Sequence, residues 1–350
     1  MDGPIQARLR LWRVQTLALT ALAPVLGALV FMGEPSSWTV HEAKDFLPEL
    51  VLLFLTGALI HIYGFVLNEW ADQEIDRASP DLQDKPLVSG AISGNEAKWT
   101  AISAAVLSFV PLALVTLEPW PHIALLCSIL AAGAYDLWGK LFPLDVLLAG
   151  SITFLLIVGV LALGGFDPGY GPHITLLACV GGLQFIQNLY QNAIEGGIKD
   201  ADHDAAAGAR TYAAILGVRI DRNGELETGW GFTNSALGMK AVQIFILLYT
   251  AVEVTDLASH GMSSLLWVVL IISIAVMIVT ISMMLPPVGF DRSRLKRIFS
   301  IHELATFAAI MTVIVPLIGE WVALILFLLP MVWFMVANRL LFGGTLEPGV

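Results

Sequence analysis

Apolar runs of about twenty residues recur along the whole chain, separated by short polar stretches. The first follows Arg13 and ends near Phe31, and others lie near 48–68, 96–117, 121–138, 142–164, 172–194, 236–256, 263–285, 299–317 and 320–341. Each is close to the roughly 20 residues that a helix needs to cross a bilayer. They predict an all-α polytopic membrane helix bundle, a single domain over 1–350 with nine or ten transmembrane helices. Ten runs are present, and the last two can also form one reentrant unit. The opening MDGPIQARLRLWRV resembles the start of a signal peptide, but the apolar core of such a peptide is only about 7–15 residues. This run continues through Ala23-Pro24 to Gly33, so a retained first span is expected.

The polar stretches give an orientation. Arg8, Arg10 and Arg13 precede the first run, Lys140 follows the fourth, and Arg292, Arg294, Lys296 and Arg297 lie between the eighth and ninth. With the N-terminus in the cytoplasm, all of these fall on the positive side that membrane insertion favours. The opposite loops, GEPSSWTVHEAKD, LEPWP, GFDPGYGPH and TDLASHG, carry one Lys and no Arg. Composition agrees with a membrane chain: 57% of residues are hydrophobic and 13% charged, against about 25% charged in soluble domains. The net charge of −11 argues against a nucleic-acid partner.

Two stretches hold an unusual share of the acidic residues. In NEWADQEIDRASPDLQDKPLVSG, Asn68, Asp72 and Asp76 stand at i, i+4 and i+8 and share one helix face. Six carboxylates between Glu69 and Asp84 meet only Arg77 before Lys85. In EGGIKDADHDAAAGART, Asp200 and Asp204 repeat the spacing, with Lys199 and Arg210 on either side. Oxygen donors in this pattern suit Mg²⁺, which takes one or two carboxylates together with a substrate's phosphate oxygens. Both stretches end apolar runs on the same membrane side, so they are expected to face one another and hold a diphosphate through bridging metals.

The motif NxxxDxxxD followed by KPLVSGAIS, the pair DxxxD and GxRT, and the intervening YDLWGK (Tyr135 to Lys140) resemble the UbiA family of intramembrane prenyltransferases. Glu69 departs from the Asp that the family commonly carries after the Asn, with the carboxylate kept. The resemblance implies a bundle around a central cavity with a cytoplasmic cap, set in the cell membrane. It implies Mg²⁺-dependent transfer of a prenyl group from a polyprenyl diphosphate to a lipophilic or amphipathic acceptor. Acceptors in the family include quinone-ring precursors, haem, chlorophyllide, phosphoribose and archaeal glycerol-phosphate ethers; this sequence leans toward the archaeal-lipid and quinone branches. Asn68, Asp72, Asp76, Asp200 and Asp204 are the expected metal ligands. Asn68, Arg13, Lys85, Lys140, Lys199 and Arg210 are the expected diphosphate contacts, and Tyr135 is expected where the C–O bond breaks. Membrane lipid is the expected surroundings of the isoprenoid tail.

Other polar residues have plainer expected roles. His61 is expected to hydrogen-bond a neighbouring helix, and Cys127 and Cys179 to pack in the core. Of the amide run Gln184, Gln187, Asn188, Gln191 and Asn192, about half are expected to bridge helices. The side carrying Asn188 and Asn192, in step with Glu195, is the candidate to line a pocket. The loop 219–235 is a cap or a plain surface loop. An ion-coupled secondary transporter is the rival class, but it would want carboxylates near the bilayer midplane.

Overall fold

The computed structural model describes residues 3–32, 46–78, 82–163, 166–221, 223–285 and 288–344. The 33–45 loop used in the orientation argument, and residues 79–81 of the first acidic stretch, lie outside them. A short helix α1 (Pro4–Leu11) leads through a tight turn at Val14–Thr16 into α2 (Leu17–Phe31). Then come α3 (Leu47–Ala71), α4 (Gln73–Ala78), α5 (Gly94–Leu107), α6 (Phe109–Val115), α7 (Pro119–Trp138) and α8 (Asp145–Leu163). Helix α9 (Gly171–Tyr190) widens into a π turn at Gln191–Gly196 before α10 (Ala201–Ala207) and α11 (Tyr212–Ile215). The chain finishes with α12 (Trp230–Tyr249), α13 (Ser263–Met284), α14 (Arg292–Ile318) and α15 (Glu320–Phe342). Within the 219–235 loop lie β1 (Arg219–Ile220) and β2 (Glu225–Glu227), which join β3 (Val288–Gly289) in a small antiparallel sheet.

Among the described residues nine helical spans are long and apolar enough to cross a membrane. The expected run at 172–194 does form a helix, α9, but Gln184, Gln187 and Asn188 dilute its apolarity and it is not one of the nine. Large apolar side chains stand outward, with Leu114 71%, Phe245 68% and Trp321 77% exposed. Lipid, not water, tolerates such a surface, and helices satisfy their own backbone groups in it. The chain is an all-α integral membrane protein.

By their internal contacts the residues sort into two compact units. The first comprises Met1–Leu137, Ser151–Phe166 and Ile325–Val350. Its helices meet through glycine. A methyl on Gly159 would lie 1.7 Å from the Pro24 carbonyl oxygen, and one on Gly27 would lie 2.0 Å from that of Leu156, so α2 and α8 touch backbone to backbone. Tyr63 donates to the Ile129 carbonyl at 3.0 Å and its hydroxyl fills the notch at Gly133, fixing α3 against α7. His61 bonds Thr20 Oγ1 at 3.0 Å and the Arg13 carbonyl at 3.1 Å, the interhelix role expected of it.

The second unit comprises Trp138–Gly150 and Asp167–Leu324. Inside it, α9, α12 and α14 share a buried polar network. Lys240, 2% exposed, donates to Gln243 Oε1 at 2.8 Å and to Gln187 Oε1 at 3.3 Å, and sits 3.9 Å above the Tyr190 ring. The Gln187 amide lies 2.6 Å from each oxygen of Glu303, and Glu195 lies close enough to act on that carboxyl. Thr280 Oγ1 stands 2.7 Å from His302 Nδ1 and 2.8 Å from the Val276 carbonyl oxygen. Gln187 thus bridges helices, the role expected of about half of that run, while Asn188 bonds the Gln184 carbonyl within its own helix. Glu195 is buried in this interior, and Asn192, in the same π turn, donates to Asp145. Both cysteines are unpaired, Cys179 buried and Cys127 half-buried.

Two stability predictions follow from these contacts. Gly159→Ala forces two helix backbones apart and should cost about 1–3 kcal/mol, whereas Gly150→Ala, with nothing within 4 Å of the added methyl, should be near neutral. Lys240→Met leaves Glu303 and Glu195 without the cation that acts on them. Stranding a buried charge in this way should cost roughly 3–5 kcal/mol, part of which Glu303→Met should restore in the double variant. Thermal unfolding in detergent checks both.

Candidate active site

The first acidic stripe is built on the end of α3. Asp72 N–H donates to the Asn68 carbonyl and Asp76 N–H to the Asp72 carbonyl, each at 2.9 Å. The helical path therefore survives the break between α3 and α4, and the i, i+4 stripe survives with it. Glu69, next along α3, is 6% exposed and gathers the cations: Arg13 Nη2 at 2.5 Å and Lys85 Nζ at 3.1 Å. Lys85 also bonds Asp76 Oδ2 at 2.7 Å. Burial pushes the Asp76 carboxyl above its ordinary value, and Lys85 pulls it back.

Arg13 reaches Glu69 because the chain turns sharply between α1 and α2. Its φ of 45° and ψ of 47° are left-handed, which is rare for a side chain with a Cβ and costs on the order of 1 kcal/mol or more. The guanidinium lies 5.0 Å from the centre of the Phe65 ring. Arg10, Arg13, Gln15, Glu69 and Lys85 line a small cleft here.

Across from the stripe stands Asp136 of α7. It is 7% exposed, with the Asn68 side chain and the Asp72 charge both close enough to act on its carboxyl. Tyr135, its neighbour in sequence, is half-buried.

The second stripe follows the π turn that ends α9, in the second unit. Asp204 Oδ1 accepts from Lys140 Nζ at 2.8 Å and Oδ2 from Thr211 at 3.0 Å. The Arg210 N–H donates to the Lys140 carbonyl at 2.9 Å, while its side chain is exposed. Lys199 Nζ lies 3.3 Å from Asp200. Asp202 takes Arg292 Nη2 at 2.5 Å, and Arg292 also bonds the Lys199 carbonyl and meets His203 at 3.3 Å. Asn192 donates to Asp145 at 2.8 Å, and Asp145 lies within reach of the Asp204 charge.

Sequence and structure therefore agree on several placements. Asn68, Asp72 and Asp76 lie on one helical path with Arg13 and Lys85 beside them. Asp200 and Asp204 lie with Lys199, Lys140 and the Arg210 backbone. Three participants were missed. Asp136 lies inside the quoted YDLWGK, yet a stripe rule looks along one helix only. Glu69 reads in the sequence as a conservative departure, and it is the carboxylate where two cations meet. Arg292 reads there only as an orienting charge, and no local pattern ties it to a residue 90 positions away. The donors are oxygens throughout, the ligand type Mg²⁺ prefers. Among the described residues no three acidic or soft side chains form a ready cage. One or two carboxylates per ion is nevertheless how Mg²⁺ is usually held, with phosphate oxygens supplying the rest.

Comparison with known proteins places this geometry in context. The chain is 28% identical over 219 residues to the digeranylgeranylglyceryl phosphate synthase of Thermococcus gammatolerans, covering 61% of this chain and 71% of that one. It is 26% identical over 221 residues to a 4-hydroxybenzoate octaprenyltransferase of Paraburkholderia phytofirmans, covering 62% and 66%. The matches thus span about two thirds of the curated relatives' length. In fold it resembles a UbiA homolog from Archaeoglobus fulgidus bound to GPP and Mg²⁺, with a TM-score of 0.59 at 18% identity over 88% of this chain and 99% of that one. A UbiA homolog from Aeropyrum pernix gives 0.61 at 18% identity over 86% and 96%. Residues 21–286 match the model of the UbiA prenyltransferase family, and the chain belongs to that family.

Proposed function

We propose that this chain transfers a prenyl group from a polyprenyl diphosphate to a lipophilic acceptor and releases pyrophosphate, both units serving one transferase domain. The observation that carries the proposal is the pairing of signs. Each aspartate group comes with its own lysine, Lys85 at 2.7 Å from Asp76 and Lys140 at 2.8 Å from Asp204. Charges of both signs in one place suit a diphosphate, whose oxygens take metal on one side and ammonium or guanidinium donors on the other.

In this mechanism Asn68, Asp72, Asp76, Asp200 and Asp204 hold Mg²⁺. Bound Mg²⁺ would stabilise the negative charge that builds on the leaving diphosphate. Lys85, Lys140, Lys199, Arg13 and Arg210 donate to the remaining oxygens, and Tyr135 sits by the breaking C–O bond. The apolar helices keep water from the allylic cation. The relatives are named for glyceryl phosphate and 4-hydroxybenzoate prenylation, which supports a glycerol-phosphate ether lipid or a quinone-ring precursor as acceptor. The positive loops support a cytoplasmic N-terminus and active face. The ion-coupled carrier is separated by its products, since only a transferase releases pyrophosphate from prenyl diphosphate.

Asp72→Asn and Asp200→Asn should each lower turnover by about 10³ or more, roughly 4 kcal/mol of transition-state stabilisation, with thermal unfolding unchanged. In the same assay, Arg210→Ala should weaken pyrophosphate inhibition about tenfold, and Arg297→Ala, at an exposed position, should leave it unchanged. Near-normal turnover in either aspartate variant at saturating Mg²⁺ would overturn the assignment. For orientation, cysteines placed at Gln83 and Asn223 should react with an impermeant reagent from the cytoplasmic side, and one at Gly169 from the opposite side. Reaction of all three from one side would overturn it.

A further inference from the structure

Asp136 has no assigned role in the site just described, and its surroundings give it one. It is 7% exposed, and its Oδ2 is buried with no hydrogen-bond partner. Buried carboxylate oxygens are nearly always satisfied, so an orphan one calls for an explanation. The Asn68 side chain lies close enough to act on the carboxyl, and its amide carries a carbonyl oxygen that can serve a cation as well as an NH₂ that can donate.

The orphan oxygen lies against α3, on the face that carries the stripe. A methyl built on Gly64 would stand 4.0 Å from Oδ2. Gly64, Asn68 and Asp72 occupy i, i+4 and i+8 of the same face. The register that brings them there is fixed one turn away, where Tyr63 fills the notch at Gly133 and bonds Ile129. The charge that acts on Asp136 is another carboxylate, Asp72. Glu69, by contrast, has Arg13 and Lys85. Two neighbouring carboxylates and an amide oxygen, enclosed at a helix end, are a donor set for a hard divalent cation.

We propose that Asp136, through Oδ2, is an oxygen ligand of the divalent metal held on the Asn68–Asp72 stripe. This rests on the reading of that stripe as a metal site. The first unit would then hold its ion by residues from two helices, α3 and α7.

The test is divalent-ion binding by the purified full chain in detergent, without prenyl substrate. Mn²⁺ affinity, read from the loss of free-ion EPR signal, should fall about tenfold or more in Asp136→Asn, which keeps the side chain's shape but loses the charge. Asp136→Cys should bind Mn²⁺ more weakly and Cd²⁺ about tenfold more tightly than the parent, because thiolate prefers the softer ion. The parent carries the same two native cysteines, so the gain reports on position 136. A residue that only orients Asn68 would not produce that switch, and thermal unfolding confirms that each variant is folded. If Asp72→Asn weakens Mn²⁺ binding while Asp136→Asn and Asp136→Cys behave as the parent, Asp136 is not a ligand and the inference falls alone. If Asp72→Asn also binds as the parent, the stripe is not a metal site and both fall together.

Discussion

A carboxylate inside a membrane bundle must have a cation, a proton or a donor beside it, and much of this protein's polar architecture answers that demand. The penalty for an uncompensated charge in such surroundings is several kcal/mol. Each compensation here has its own form. Glu69 is closed off by Arg13 and Lys85. Asp204 takes one lysine and one threonine hydroxyl. Glu303 is served by an amide at 2.6 Å, with Lys240 further back. Asp136, like Glu49 and Glu195, keeps one buried oxygen without a hydrogen-bond partner.

These solutions differ in what they permit. The Lys240 network is sealed: its lysine is 2% and its Glu195 3% exposed. Such a network ties helices together and has no route for exchange with a ligand. The pairs at the second stripe sit at a helix end, with Lys140 and Lys199 side chains 37% and 35% exposed. Their lysines can leave a carboxylate for a phosphate oxygen without stranding either charge, provided a cation takes the carboxylate over. Pairs of this kind contribute little to stability when partly exposed, so rearranging them costs little.

Much of this was legible in the sequence because the periods are local. Apolar runs of about twenty residues gave the spans, and the i, i+4 spacing of Asn68, Asp72 and Asp76 survives in the helical path. The lone histidine of α3 bridges helices as such residues usually do. What was not legible is non-local or conformational. Nothing in RLWRVQT announces that Arg13 adopts a left-handed turn, which detaches α1 from α2 and aims the guanidinium 56 positions ahead, at Glu69. Arg292 finds Asp202 across 90 positions. Lys240 was a missed signal of another kind: a lysine inside GMKAVQIF interrupts an apolar run, and intramembrane lysines always need a named partner.

Protein contacts hold two carboxylates of the candidate site. The Asp76 carboxyl is fixed by Lys85, and Asp204 by Lys140 and Thr211. Thr211 does this while capping α11, so the loop after the second stripe is tied to its aspartate by a single hydroxyl. Both aspartates stand on helices, so the positions of their oxygens are set by helix register, and in the first unit that register is fixed where Tyr63 fills the notch at Gly133 and bonds Ile129.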